Sequence, residues 1–161
     1  GYYSAGDIAN ISIGQGEIMA TPLQVADMTA TIANGGIRNR VNIVDSVVDN
    51  SGKKVRDLKI VEGKRVIAKE TAEAIKSLME EVTERGTGKK AALKDYGGAA
   101  GKTGSAETGE ENVIHAWFAG YFPMKNPRYS IAVFAEGGRS GGDVAAPVFA
   151  EIAEEIMKKG F

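Results

Sequence analysis

The spacing of apolar residues changes near residue 99 from a helical repeat to alternation, and this change restricts the fold more than any other feature. Residues 99–106, 115–122 and 129–136 each have the period of two that is typical of strands. The second and third of these segments are separated by a turn of the length that hairpins use. Consecutive strands with short connections pair in antiparallel fashion. The sequence therefore predicts three neighbouring antiparallel strands.

Helical spacing marks three helices around these strands. The first helix has Thr21 and Gln24 in a capping box, Pro22 at its first position, and a pair of glycines at its end. Residues 69–85 and 147–159 each place apolar side chains on one helical face. Helices that pack on an antiparallel sheet define the α+β class, which is the predicted fold class.

Two other segments are assigned from shorter patterns. Ile8, Ile11 and Ile13 favour an extended segment near the start of the chain. Residues 41–56 predict an exposed β-hairpin that turns at residues 50–52. We expect this hairpin to project from the domain, since charged residues surround it.

Charge and composition exclude several classes of function. The chain has 161 residues, with 20 Lys and Arg against 21 Asp and Glu, and a net charge of −1. A nucleic-acid-binding protein normally has a basic face, and binding to an anionic membrane surface requires clustered Lys and Arg. The balanced charge of this chain therefore argues against both kinds of partner. The sequence has no Cys and one histidine, His115, so we expect neither a metal site nor another cofactor. His115 is interpreted as a structural residue.

Residues 97–106 carry the most chemical information, and they read Gly-Gly-Ala-Ala-Gly-Lys-Thr-Gly-Ser-Ala. One interpretation is the P-loop of an NTPase, but that motif needs a glycine where Tyr96 stands and a helix where Gly104 disfavours one. The alternative is the Lys-Thr-Gly element of penicillin-binding proteins and serine β-lactamases, at residues 102–104. That element requires a strand followed by antiparallel strands and a terminal helix, which is the predicted order.

Several further motifs occur in the order that this family has. With them, the chain resembles the C-terminal half of the transpeptidase domain of a class B penicillin-binding protein, and it is most similar to the elongation-type members called penicillin-binding protein 2. The resemblance makes residues 1–161 the C-terminal part of one transpeptidase domain. The matching segments are residues 3–16, which end in Gly-Gln-Gly, and residues 21–26, 33–36, 102–106 and 115–123.

The resemblance implies a substrate and a set of site residues. The family cross-links peptidoglycan stem peptides that end in D-Ala-D-Ala, through an acyl-enzyme on a serine, and β-lactams bind as mimics of that dipeptide. By resemblance, Lys102 supplies positive potential, and the hydroxyls of Thr103 and Ser105 bind the substrate carboxylate. The backbone N–H of Ser105 forms half of the oxyanion hole. Gly101 and Gly104 are expected to let the substrate backbone lie along the strand.

Two other motifs of the family are absent from the sequence. No serine is followed two positions later by Asn, and the only Ser-x-x-Lys match begins at Ser51, in the predicted hairpin turn. We therefore expect a fragment that supplies the Lys-Thr-Gly wall, depends on the upstream half of the domain for its nucleophile, and is inactive alone. The parent protein is expected on the outer face of the cytoplasmic membrane, anchored by an upstream helix. An exposed sheet edge predicts self-association of the fragment.

A non-catalytic β-lactam sensor or an interaction module on the same fold stays open as an alternative, because the sequence lacks the nucleophile motif. Other residues receive structural interpretations. Gln15 is assigned to a tight turn, and residues 137–142 to a mobile glycine-rich loop near the site. Strand 115–122 has aromatic residues on both faces, which predicts that both faces of the sheet are covered.

Overall fold

The computed structural model describes residues 3–16, 18–57, 61–109 and 113–160. In chain order, the helices are α1 (Ala5–Ser12), α2 (Pro22–Ala33), α3 (Lys69–Glu84) and α4 (Ala146–Lys159). The strands are β1 (Ile37–Arg38), β2 (Ser46–Val48), β3 (Lys54–Asp57), β4 (Lys64–Arg65), β5 (Ala100–Glu107), β6 (Ile114–Phe122) and β7 (Tyr129–Gly138). Two 3₁₀ turns, Lys89–Ala91 and Lys94–Tyr96, precede β5, and a π-helical turn, Gly141–Ala145, precedes α4.

The main sheet has three antiparallel strands in the order β5-β6-β7. Thr103 of β5 is opposite Phe118 of β6, and Ser105 is opposite Ala116. The prediction of three neighbouring antiparallel strands in an α+β fold is confirmed. Among the described residues, β5 has no partner strand on its other side, and neither does β7.

Helices cover both faces of this sheet, as the aromatic pattern of β6 predicts. On one face, Phe118 and Phe122 are fully buried against Phe149 of α4, at ring-centroid distances of 4.8 and 5.7 Å respectively. On the other face, the buried Tyr121 packs with Ile32 of α2 and with α3. The sheet therefore lies between two layers of helices, while the outer edge of β5 has no partner strand among the described residues.

The start of α2 has the predicted capping box. The Thr21 hydroxyl accepts a hydrogen bond from the Gln24 N–H at 3.2 Å, and the Gln24 side chain accepts one from the Thr21 N–H at 2.8 Å. Together these bonds satisfy two backbone donors that the first turn of a helix leaves without partners.

The predicted extended segment near the start of the chain is wrong, because that segment is helix α1. Ser4 and Asp7 form a second capping box, in which each side chain accepts a hydrogen bond from the other residue's backbone N–H. No residue of α1 is buried. The isoleucine spacing alone pointed to a strand, whereas the capping residues begin a helix at this position.

The predicted hairpin is present, although its first strand is shorter than expected. Strand pairing begins at Ser46 rather than at residue 41, and a bulge follows Val47. Ser51 lies in the turn, where its N–H and its hydroxyl both donate to the Asp49 carboxylate, at 2.9 and 2.6 Å. Ser51 is therefore a turn residue and does not begin a helix. The short β1–β4 pair was not predicted from the sequence.

Candidate active site

Strand β5 brings Thr103 and Ser105 to one face because side chains two residues apart in a strand point the same way. Both side chains line a cavity of about 330 Å³ beside the free edge of the strand. The rest of the lining comes from the turn that follows α3 and the turn that precedes α4: Thr87, Lys89, Lys90, Ser140, Gly141, Gly142 and Asp143.

The backbone of these two residues faces the open edge of β5. The Ser105 carbonyl accepts a hydrogen bond from Nε2 of Gln15 at 3.2 Å, and the Thr103 carbonyl accepts one from Nζ of Lys102 at 2.7 Å. In an antiparallel ladder, the N–H and C=O of one residue point to the same side. The N–H groups of Thr103 and Ser105 therefore also point away from β6, where an added strand could bind them.

Each hydroxyl of the pair also has a partner from one of the neighbouring turns. Thr103 Oγ1 lies 2.6 Å from Thr87 Oγ1, and the Ser105 hydroxyl accepts a hydrogen bond from the Gly141 N–H at 3.4 Å. A hydroxyl oxygen has one proton to donate and two lone pairs. Because Ser105 accepts from Gly141, its own proton is left for another acceptor.

Lys102 reaches the same edge from the other face of the strand. Alternation places its side chain opposite those of Thr103 and Ser105, and the side chain does not line the cavity. Its ammonium nevertheless lies at the edge through the bond to the Thr103 carbonyl. The structure therefore gathers all of the predicted residues at one strand edge, with the hydroxyls in the cavity and the cation beside it.

Packing within the sheet accounts for the glycines beside Lys102 and Thr103. A Cβ on Gly101 would lie 2.5 Å from the Phe118 ring, on the side of the buried core. The expectation that Gly101 leaves space for a ligand is wrong, because the Phe118 ring fills the space that a side chain at this position would occupy. A Cβ on Gly104 would lie 3.2 Å from the Cβ of Trp117, so the size of Gly104 is also restricted by β6.

Lys90 and Asp143 form an ion pair across the mouth of the cavity, with 2.8 Å between Nζ and Oδ1. The Ser140 hydroxyl donates to the other carboxylate oxygen of Asp143 at 2.9 Å. These two hydrogen bonds, that from Lys90 first, hold the pKa of the Asp143 carboxyl below its usual value. These contacts therefore favour the charged form of Asp143.

Several residues of this site were not predicted from the sequence, among them Gln15, Thr87, Lys90 and Asp143. Gln15 was interpreted only as a turn residue, yet its amide contacts Ser105, 90 positions along the chain. The flanking glycines of residues 137–142 did indicate a loop near the site, and that segment supplies Gly141 and Gly142 to the cavity. The sequence also favours a solvated loop for Glu110 and Glu111, and both lie outside the described residues.

The geometry excludes the P-loop interpretation. Residues 101–103 lie inside β5, and the segment that follows is strand β6 rather than a helix. A phosphate cradle needs the N–H groups of a loop and of a helix start to converge, and an extended strand cannot provide this. Within the described parts of the chain, no group of three or more His, Cys, Asp or Glu residues is placed to hold a metal ion.

Comparison with known proteins agrees with the order of motifs. The family model for the penicillin binding protein transpeptidase domain matches residues 2–154. The chain belongs to this transpeptidase family. Penicillin-binding protein PbpB of Mycolicibacterium smegmatis is 35% identical over 98% of this chain, and peptidoglycan D,D-transpeptidase FtsI of Buchnera aphidicola is 32% identical over 98%. The expected resemblance to class B penicillin-binding proteins is confirmed.

Solved structures of penicillin-binding proteins share the fold. Penicillin-binding protein 3 of Mycobacterium tuberculosis in complex with aztreonam matches 98% of this chain, with a TM-score of 0.83 and 31% identity. The ceftriaxone acyl-enzyme of penicillin-binding protein A from the same organism matches 91%, with a TM-score of 0.82 and 31% identity.

The chain spans only part of each protein that it matches. It covers 27% of PbpB and 28% of FtsI, and 39% and 34% of the two solved chains. Among the described residues, no helix combines the length and the apolar character that a membrane crossing requires.

Proposed function

We propose that this chain forms the Lys-Thr-Gly wall of a serine-type peptidoglycan D,D-transpeptidase, which cross-links stem peptides ending in D-Ala-D-Ala and is acylated by β-lactams. The observation that carries the proposal is the free edge of β5, where two hydroxyls and two outward N–H groups lie beside a cavity. Relatives that match nearly the whole chain are named as peptidoglycan D,D-transpeptidases or are solved with β-lactams.

The substrate carboxylate is proposed to bind at the Thr103 and Ser105 hydroxyls. Both hydroxyls line the same cavity, and the Ser105 proton is free to donate because the oxygen already accepts from Gly141. Hydrogen bonds to a carboxylate are about twice as strong as those between neutral groups. The nearby ammonium of Lys102 adds positive potential at this edge.

The outward backbone of β5 is proposed to hold the rest of the peptide as an added strand. The Ser105 N–H would then stabilise the oxyanion that develops at the attacked carbonyl, and the Ser105 carbonyl would accept the N–H of the peptide. Gly104 separates the two hydroxyl residues, and its lack of a side chain leaves room for Trp117 of β6.

Another segment of the domain must supply the nucleophile and the base. The one Ser-x-x-Lys match begins at Ser51, which lies in the hairpin turn. We therefore propose that the 161-residue chain binds ligand but does not form an acyl-enzyme by itself. Peptidoglycan lies outside the cytoplasmic membrane, and we propose that location for the complete enzyme.

The binding step can be tested on this chain by NMR. The isotopically labelled chain is titrated with the tripeptide diacetyl-L-Lys-D-Ala-D-Ala, and we expect the largest amide shifts at Thr103, Gly104 and Ser105. Ser105→Ala should weaken binding by about tenfold, since a hydrogen bond to a charged group contributes roughly 1.5 kcal/mol or more. Ser77→Ala, on the exposed side of α3, is the matched control. Shifts elsewhere, or none at saturating peptide, would overturn the proposed site.

The covalent step can be tested with a fluorescent penicillin. We expect no covalent label on the 161-residue chain, and label on a longer polypeptide that also carries Ser-x-x-Lys and Ser-x-Asn segments of the family. In that longer polypeptide, Lys102→Ala should slow acylation, whereas Lys125→Ala, in the exposed β6–β7 turn, should not. Label on the shorter chain would contradict the proposed division of the site, and unchanged acylation by the Lys102 variant would remove Lys102 from it.

A further inference from the structure

Two short segments flank the hydroxyl pair of β5 from different parts of the chain. Segment 87–90 follows α3, and segment 140–143 precedes α4. Each segment gives one hydroxyl a partner: Thr87 lies against Thr103, and the Gly141 N–H donates to Ser105. The hydrogen bonding of the pair is therefore determined by two segments that are 50 residues apart in the sequence.

Close backbone packing places segment 140–143 against both β5 and segment 87–90. A Cβ on Gly141 would lie 2.6 Å from the Gly104 carbonyl oxygen, and a Cβ on Gly142 would lie 2.5 Å from the Thr87 carbonyl oxygen. Real Cβ atoms do not approach other atoms so closely. These two glycines therefore allow an approach that no larger residue permits.

One ion pair joins the two segments. Lys90 Nζ lies 2.8 Å from Asp143 Oδ1, and the side chains are 56% and 65% exposed. The Ser140 hydroxyl accepts from the Asp143 N–H at 3.2 Å and donates to the Asp143 carboxylate at 2.9 Å. The carboxylate of Asp143 is thus held by its own turn as well as by Lys90.

We infer that Lys90 and Asp143 are positioning residues. Their ion pair holds segments 87–90 and 140–143 together, so that the Gly141 N–H donates to the Ser105 hydroxyl oxygen. The Ser105 proton is then left for a ligand carboxylate. Neither residue needs to touch the ligand for this. When the pair is broken, segment 140–143 moves away more often, and the Ser105 hydroxyl is free to turn toward other acceptors. The identity of the ligand rests on the proposed function, whereas the role of the ion pair in holding the two segments together does not.

The inference can be tested on the 161-residue chain with two readouts. The first is hydrogen exchange of the Gly141 amide by NMR, which needs no ligand, and the second is the Kd for diacetyl-L-Lys-D-Ala-D-Ala. Lys90→Met and Asp143→Asn should each accelerate hydrogen exchange of the Gly141 amide. Each should also raise the Kd for the tripeptide by about threefold, which is the effect expected from an exposed ion pair. Lys90→Arg keeps the charge and should restore both values.

Salt and a second ion pair provide the controls. The difference between the original chain and Lys90→Met should shrink in 1 M NaCl, where the screening length falls to about 3 Å. Glu81→Gln removes the exposed ion pair with Arg85 on α3, which is 2.7 Å long, and should change neither readout.

The outcomes separate the two proposals. Unchanged Gly141 exchange in Asp143→Asn, or failure of Lys90→Arg to restore it, would overturn the positioning role. Faster exchange in the variants supports that role even if the original chain does not bind the tripeptide, and that last result would count against the proposed function alone.

Discussion

Gln15 is the residue whose role differs most from its sequence interpretation. Its side-chain amide donates to the Ser105 carbonyl at the free edge of β5. A peptide that adds to this edge would donate its own N–H to the same oxygen. In the ligand-free chain, Gln15 therefore occupies the hydrogen-bonding position that the proposed substrate needs.

Gln15→Ala should consequently bind the tripeptide more tightly. The ligand would no longer displace an internal hydrogen bond, and an exposed bond of this kind contributes about 0.5 kcal/mol, which is roughly a twofold change in Kd. Isothermal titration calorimetry would measure the change, with Lys125→Ala as a remote surface control. Weaker binding by the variant would instead show that Gln15 contacts the ligand.

Asp143 allows a prediction of pH dependence at the same scale. Lys90 and Ser140 lower the pKa of its carboxyl in the folded chain. A lowered carboxyl pKa stabilises the fold above the pKa of the unfolded chain, about 3.9, and this contribution disappears as pH falls through the lower folded value. We expect the Asp143 carboxyl to titrate below pH 3.9 by NMR, and its midpoint to rise in Lys90→Met. An equal midpoint in both chains would contradict the ion pair.

At the scale of elements, the position of β5 depends on the layers that cover the sheet. Phe149 of α4 packs against the aromatic residues of β6. The buried Thr83 of α3 donates a hydrogen bond from its hydroxyl to the Ala99 carbonyl at 2.6 Å. Thr83 thus ties α3 to the residue that precedes β5. These contacts join the sheet to α4 and the start of β5 to α3.

The contribution of α4 can be measured with two neighbouring substitutions. Phe149→Ala removes a fully buried ring between Phe118 and Phe122, and it should lower the free energy of unfolding by about 3–5 kcal/mol. Val148→Ala changes a side chain that is 39% exposed on the same turn, and it should cost less than about 1 kcal/mol. Urea denaturation followed by circular dichroism tests both, and similar losses would contradict the assignment of Phe149 to the core.

The whole molecule has a three-stranded sheet whose two outer edges are unpaired within the described residues. Such edges carry N–H and C=O groups that pair readily with another strand. The solved chains cited above are longer than this chain, which covers 39% or less of each.

We therefore expect the isolated chain to self-associate. Sedimentation equilibrium should show a mass that rises with protein concentration, and the amides of β7 should gain hydrogen-exchange protection over the same range. The amides of β6, which has partners on both sides, provide the internal reference. A single monomeric mass at every concentration, with no change at β7, would refute this expectation.

Local signals in the sequence were sufficient for most elements and for the motif. Capping residues and apolar periodicity act over three or four positions, so α2, α3 and the three main strands were predicted within about two residues. The segment that forms helix α1 was wrongly predicted to be extended, because the prediction followed the spacing of three isoleucines and not the Ser4 and Asp7 capping box.

The sequence by itself thus determined the class of fold, the family and the strand that carries the Lys-Thr-Gly motif. The tertiary structure alone decided which residues surround that motif. Gln15 and Ser105 are separated by 90 positions, and Lys90 and Asp143 by 53. No local pattern encodes such contacts, because they arise only when the packing of α3 and α4 on the sheet brings distant turns to the edge of β5.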